Sequence, residues 1–479
     1  MNPDVLEKLR QYSRQFNKEK AGDRKKAAGE GEGTGGAREH NPGNPGTSRS
    51  LTPSGNMALP GALDILHTGD DGPGTAGEAA GAGLDIHNLI EGEIYKNEEG
   101  CCFITENRYP LTYLHGGCRL GDVAAGISSS SLKRLCPGFR PVGDDSAYNN
   151  TNIGIDTNID IRDFLFLDIE TTGLAGGVGT VAFLVGTGFF KDDSFVVRQY
   201  FMRDYDEEIA MLKALNLLFP PYKVLVTFNG KAFDMNIIRT RYTYNRTRCE
   251  LDEEETGHID LLLLARRLWK EKLESCSLSS LEENILGESR VDDIPGELIP
   301  QVYFKYVVDR DAREIKRVMK HNELDILSMV ALLNKINNML RDPILETSCD
   351  YELMGVGKVL ESAGDSELVV ECFEKCMKSG SPYTRYTALK KLTRIYKREG
   401  NYAKAVEIWD ITARNQDFFS IFSLIELAKY YEHKEKNIDK AIEVTERAMR
   451  LSVAMGIYED RLRGELKKRM ERLKRKAQF

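Results

Sequence analysis

At 479 residues the chain is too long for one ordinary domain and predicts two or three. Its net charge of −8, from 66 basic against 74 acidic residues, excludes binding of nucleic acid by bulk charge alone and leaves local patches to decide. Nine cysteines without a CxxC or a paired framework exclude a disulfide scaffold, and no apolar run approaches the ~18 residues of a membrane span. With a polar, charged N-terminus, the sequence points to a cytoplasmic protein with no membrane partner.

In chain order, residues 1–16 suit a short amphipathic helix. The composition then turns to Gly, Pro, Ser and charge, and residues 1–90 as a whole predict a disordered region, because such a segment buries too little apolar surface to offset its ordering entropy. Residues 91–157 form a lead-in with a strand-like CCFIT, a Tyr-Pro turn and a serine- and asparagine-rich stretch. Residues 158–345 alternate. FLFLDIE, TVAFLVGTGFF and SFVVRQYFM read as three strands, with KDD as a hairpin connection. A helical EEIAMLKALNLLF, a buried strand KVLVTF, HIDL as a strand or helix entry, and long helical patterns follow. This order predicts an α/β fold with a mixed sheet.

Residues 350–479 read as purely helical and repetitive. GDSELVVECFEKC, GNYAKAVEIWDIT and KNIDKAIEVTERA align without a gap, with Val369, Ala405 and Ala441 each 36 residues apart, as are Cys372, Ile408 and Val444. Small or apolar residues at fixed places in a ~34-residue helix-turn-helix period predict an all-α, tetratricopeptide-like domain. Such repeats serve either as a groove for a protein partner or as a stabilising cap.

The chemistry concentrates in FLFLDIETTGL, residues 164–174. Side chains on a strand alternate, so Asp168 and Glu170 share one face, where bare carboxylates repel. Mg²⁺ or Mn²⁺ would relieve the repulsion, since both favour oxygen ligands. Asp234 in VLVTFNGKAFD follows another buried strand, and His321 and Asp325 in HNELD share one helix face. Four carboxylates so arranged suit two ions ~4 Å apart, the clamp for in-line attack on a phosphodiester. Each residue has a plainer reading: a salt-bridged acidic pair, a helix N-cap at Asp234, a structural His321 or a solvated Asp325. Asp260 in HIDL reads as a hydrogen-bond anchor rather than a catalytic group.

DIETTGL, NGKAFD and a His/Tyr-xxx-Asp on a helix resemble the DEDD 3′–5′ exonuclease superfamily of the RNase H-like fold. RYPLTYLHG, HIDLLLLARRLWK, CSLSSLEENILG, RVDDIPGELIPQVYF and HNELDIL extend the resemblance to the YprB-like ribonuclease H-like family over residues 91–345, with helical repeats behind. The resemblance implies an RNase H-like mixed sheet with flanking helices and a two-metal nuclease. Asp168 would bridge both ions, Glu170 and Asp325 would complete the site of one, and Asp234 would hold the other. His321 would orient or deprotonate the attacking water. It departs from the superfamily pattern by standing at the spacing usual for tyrosine.

IIRTRYTYNRTR interleaves arginine with tyrosine, which suits single-stranded DNA or RNA or an ordinary solvated face; Arg239, Arg241 and Tyr242, with Lys231 in the preceding loop, are the candidate contacts. The basic final helix, 461–476, suits nucleic acid or an ordinary charged terminus. The leading expectation is a metal-dependent 3′–5′ exonuclease; the rival is a non-catalytic nucleic-acid-binding adaptor whose repeats recruit a protein.

Overall fold

The strand Phe164–Thr171 has no polar side chain until its fifth position, and Phe164, Leu165, Phe166 and Leu167 are all fully buried. A strand apolar on both faces must be covered on both sides. The computed structural model describes residues 85–137, 139, 159–173, 179–251, 255–415, 418–456 and 460–478. The expected N-terminal helix and most of the Gly-rich region lie outside these residues, as does most of 138–158. Ordered chain is present ahead of residue 91: Asp85 caps a short helix, Ile86–Leu89, and Ile86 is buried.

Among the described residues, seven strands make one mixed sheet. They are β1 (Glu93–Asn97), β2 (Gly100–Pro110), β3 (Phe164–Thr171), β4 (Ala182–Lys191), β5 (Ser194–Phe201), β6 (Val224–Thr227) and β7 (Gly257–Asp260). Their spatial order is β1-β2-β5-β4-β3-β6-β7. β3, β6 and β7 are mutually parallel; the other neighbours are antiparallel. The three strands expected from 164–202 are present, and HIDL is the end of β7.

Helices α1 (Glu208–Leu218), α2 (Asp234–Tyr244), α3 (Leu261–Trp269), α4 (Ile299–Asp309) and the 29-residue α5 (Arg313–Arg341) complete the α/β part. Leu165, Leu167 and Ile169 share a core with Met235, Ile237, Ile238 and Tyr242 of α2. On the other face α5 lies close to β4. Gly186, paired with Asp168 across β3 and β4, makes this possible, because a Cβ there would stand 2.0 Å from Asn322 Oδ1. Buried Gln199 of β5 donates to the Met319 carbonyl and to Asn322 Oδ1, both at 2.8 Å, and Asn107 of β2 donates to Glu323 at 2.7 Å. Sheet side chains thereby fix α5 in rotation as well as position.

The sequence places a boundary at 345–350, but the compact unit bearing the sheet runs past it to Ala405. Its later helices are α6 (Asp350–Ala363), α7 (Ser366–Ser379) and α8 (Pro382–Arg398). The cause is the packing of α6 on α3: an added Cβ on Gly355 would stand 2.6 Å from the Arg267 carbonyl oxygen and 2.8 Å from Leu268 Cα. Buried Glu352 accepts from Trp269 Nε1 at 3.0 Å and Lys272 Nζ at 2.8 Å. Helix α9 (Tyr402–Arg414) spans the division between the two compact units.

The second unit, described by itself, holds α10 (Phe418–Tyr430), α11 (Ile438–Ala454) and α12 (Asp460–Lys476). Glu432, its side chain fully buried, accepts from Arg469, Arg472 and Lys476 at 2.7–2.9 Å. Three cations of the basic final helix are therefore committed to folding. The repeat positions Val369, Ala405 and Ala441 are buried, and each sequence copy supplies two helices. Replacing Gly355 with alanine is expected to push α6 off α3 and lower stability by about 1–3 kcal/mol, the scale of an overpacked contact, measured by denaturant unfolding.

Candidate active site

The acids converge at the C-terminal edge of β3. Asp168 and Glu170 leave the strand on the face that meets α5. Asp168 Oδ2 accepts from Asn322 Nδ2 at 2.8 Å. The Glu170 side chain has no hydrogen-bond or ion-pair partner among the described residues. Burial, and behind it the charges of Asp325 and Asp234, push both carboxyls well above the ordinary carboxylate range; Glu170 adds to the effect at Asp168, and Asp293 to that at Glu170.

Asp234 is the first residue of α2 and makes no side-chain cap, so the N-cap reading fails. Instead its Oδ1 accepts from Ile169 N–H of β3 at 3.2 Å, and the residue is 4% exposed. Burial pushes its carboxyl up to about 7, with Asp260 and Asp325 adding to the effect, against backbone N–H groups that hold it down.

Asp260 is the anchor expected of it. It accepts from Asn229 N–H at 3.0 Å, Lys231 N–H at 3.2 Å and Leu262 N–H at 3.1 Å, so one carboxylate starts α3 and pins the loop that delivers Asp234. Asn229 sits at φ +67° in that loop, a conformation Asn tolerates.

His321 and Asp325 lie one turn apart on α5, with His321 Nε2 3.6 Å from Asp325 Oδ2. Nδ1 of His321 is 2.7 Å from Asp293 Oδ1. The other oxygen of Asp325 pairs with Arg290, whose side chain is 11% exposed. Arg290 also donates to buried Glu282 at 2.8 and 2.5 Å, and Glu282 accepts from Ser328, which bonds buried His115 at 2.8 Å. Burial works against ionisation of Asp293, but the hydrogen bond and charge of His321, with Arg290, hold its pKa below the usual range.

Glu282, Arg290, Asp293, Asn322 and Gln199 carried no role in the sequence reading. Glu282, Arg290 and Asp293 belong to LEEN and RVDD, and their signal was weak: one basic residue among acids in a loop. His115 shows what RYPLTYLHG contributes, a buried partner beneath the Arg290 network.

All five predicted catalytic residues thus come to one sheet edge. Glu170, His321 and Asp325 each offer a donor atom, and the three atoms lie within 4.8 Å of one another. A divalent ion fits this set of two carboxylates and one imidazole. Asp168 and Asp234 stand in the same field but are hydrogen-bonded to protein.

The predicted nucleic-acid contacts divide. Lys231 is exposed beside Asp260 and lines a 240 Å³ cavity with His258 and Arg267, and Arg239 is exposed on α2. Arg241 and Tyr242 are corrected: both are buried. Arg241 pairs with Glu208 at 2.5 and 2.6 Å, and the Tyr242 hydroxyl donates to the Leu212 carbonyl at 2.8 Å. Helical periodicity turns this stretch of an arginine-rich helix inward.

Residues 165–337 match the RNase H superfamily, whose members are typically nucleases. The chain is 31% identical over 380 residues to the uncharacterized protein YprB of Bacillus subtilis strain 168, an alignment covering 79% of this chain and 87% of that protein. The chain belongs to the YprB family of the RNase H superfamily. A family B DNA polymerase from the archaeon Pyrobaculum calidifontis aligns at TM-score 0.30 and 15% identity, over 44% of this chain and 29% of the polymerase. No helix among the described residues is long and apolar enough to cross a membrane.

Because the folded state raises the Asp234 pKa above its unfolded value, it binds more protons than the unfolded state between about pH 4 and 7. Metal-free stability should therefore fall as pH rises through that window. Asp234→Asn keeps an acceptor for Ile169 N–H. It is expected to reduce this dependence, with Asp168 and Glu170 keeping their share, and to stabilise the metal-free protein at pH 8 by on the order of 1–3 kcal/mol, read by denaturant unfolding across pH.

Proposed function

We propose that the protein is a divalent-metal-dependent nuclease that removes nucleotides from the 3′ end of single-stranded DNA or RNA. The observation that carries this reading is the convergence of Glu170, His321 and Asp325, with donor atoms within 4.8 Å of one another, beside the hydrogen-bonded Asp168 and Asp234 at one edge of an RNase H-like sheet. Glu170 and Asp325 are the carboxylates that would hold the ion, with Asp168 and Asp234 beside them for a second. When bound, Mg²⁺ or Mn²⁺ supplies Lewis-acid stabilisation of charge at the scissile phosphate.

The chain's own groups do the rest. The hydrogen bonds to Asp168 and Asp234 hold both carboxylates in one orientation, which limits reorganisation during the reaction. Arg290 balances part of the acidic charge from inside the protein and keeps Asp325 turned toward His321. Lys231 and Arg239 meet backbone phosphates of the strand, a role that stacks no base and selects no sequence. The helices after residue 350 support the fold and carry, in this reading, a surface for a protein partner.

The experiment is incubation of 5′-labelled single-stranded RNA and DNA with Mn²⁺, Mg²⁺ or EDTA. A metal-dependent ladder shortening from the 3′ end is expected, and Asp168→Ala should slow it by roughly 10²–10³-fold, the scale of losing one preorganised charged contact. Internal cuts would replace the exonuclease reading with an endonuclease one. Salt-sensitive binding without cleavage would favour the adaptor.

A further inference from the structure

We infer that His321 is a direct ligand of the catalytic metal through Nε2, with Asp293 as the positioning residue that fixes its tautomer, rather than the base that deprotonates water. This rests on the metal-dependent reading of the acid cluster. An ionised carboxylate only accepts hydrogen bonds, so the 2.7 Å contact between Asp293 Oδ1 and His321 Nδ1 belongs to the tautomer protonated on Nδ1; the longer 3.2 Å contact from Arg290 Nη1 belongs to the other, and the shorter one sets the tautomer inferred. In the neutral ring of that tautomer, Nε2 carries the lone pair that a metal ion takes. Arg290 Nη1 also bonds Asp293 Oδ2 at 3.3 Å, so the guanidinium and the imidazole share this carboxylate.

Nε2 lies 3.6 Å from Asp325 Oδ2, too far for a hydrogen bond. Two donors each ~2.1 Å from one ion stand about 3.0–3.5 Å apart, so the separation matches a shared metal better than a direct pair. Asp325 gives its other oxygen to Arg290, which leaves Oδ2 directed at the imidazole. Glu170 supplies the third donor, within 4.8 Å of the other two and with no side-chain partner among the described residues. A carboxylate behind a metal-bound histidine is the usual arrangement for holding such a ring. It also gives the histidine at tyrosine-type spacing a use that does not depend on reaching a water. An N,O,O donor set favours Mn²⁺ over Mg²⁺, because imidazole suits transition metals.

The test is titration of Mn²⁺ into the full chain by calorimetry, with pulsed EPR of the bound Mn²⁺ for ¹⁴N coupling from imidazole. The wild type is expected to show the coupling and His321→Gln to lose it. Asp293→Ala is expected to weaken Mn²⁺ binding by about 10–100-fold, and Asp293→Asn, which retains an acceptor for Nδ1–H, by less. No Mn²⁺ binding, bound Mn²⁺ without ¹⁴N coupling in the wild type, or coupling that persists in His321→Gln overturns the assignment. Cleavage assays on the same preparations separate the two claims. Cleavage without coupling removes the ligand role and leaves the nuclease. Coupling without cleavage keeps the ligand role and removes the nuclease.

Discussion

Carboxylates crowded at the end of a buried strand repel one another, and the rest of the site is built to hold them there. Two unit charges 4 Å apart interact by about 4 kcal/mol at the effective dielectric near a protein surface. Burial first, and behind it the charges of neighbouring carboxylates, raise Asp168, Glu170 and Asp234 above the carboxylate range. The protein answers with directed hydrogen bonds rather than with matched cations. Asn322 holds Asp168, the Ile169 N–H holds Asp234, and Arg290 is the cation built into the cluster.

That arrangement reaches far into the fold. Asn322 can approach Asp168 only because position 186 has no side chain, and its orientation is set by Gln199 on the next strand. Arg290 depends on Glu282, which depends on Ser328 and His115. Asp260 spends its acceptors on the loop that carries Asp234. A buried polar network of this kind is useful only when every member is satisfied, so residues well away from the acids share in keeping them in place.

Much of this was legible in the sequence. The apolar run before Asp168 announced a buried strand, and the i, i+4 spacing of His321 and Asp325 announced one helix face. Asp260 was readable as an anchor because it ends a strand and starts a helix. The polar scaffold was less legible. Gln199 lies 123 residues from Asn322, Asn322 lies 154 from Asp168 and Arg290 lies 35 from Asp325, and no local pattern marks such partners. Arg241 and Tyr242 misled for a related reason: alternating basic and aromatic residues look like a binding face, but helical geometry turned both into the core beside Glu208 and Leu212. Near residue 345 the sequence pattern turns helical and repetitive, while the packing of α6 on α3 carries one compact unit on to Ala405.

The central claim is that the acid cluster is completed by a divalent cation, and the most direct measurement is thermal unfolding of the full chain in EDTA, Mg²⁺ and Mn²⁺. An ion that binds the folded cluster at 100 times its Kd adds about 2.7 kcal/mol of stability. The account predicts a rise in Tm with metal, larger for Mn²⁺, that is abolished when Glu170 and Asp325 are replaced by Gln and Asn. A Tm indifferent to both metals, or a rise that survives those replacements, would contradict it.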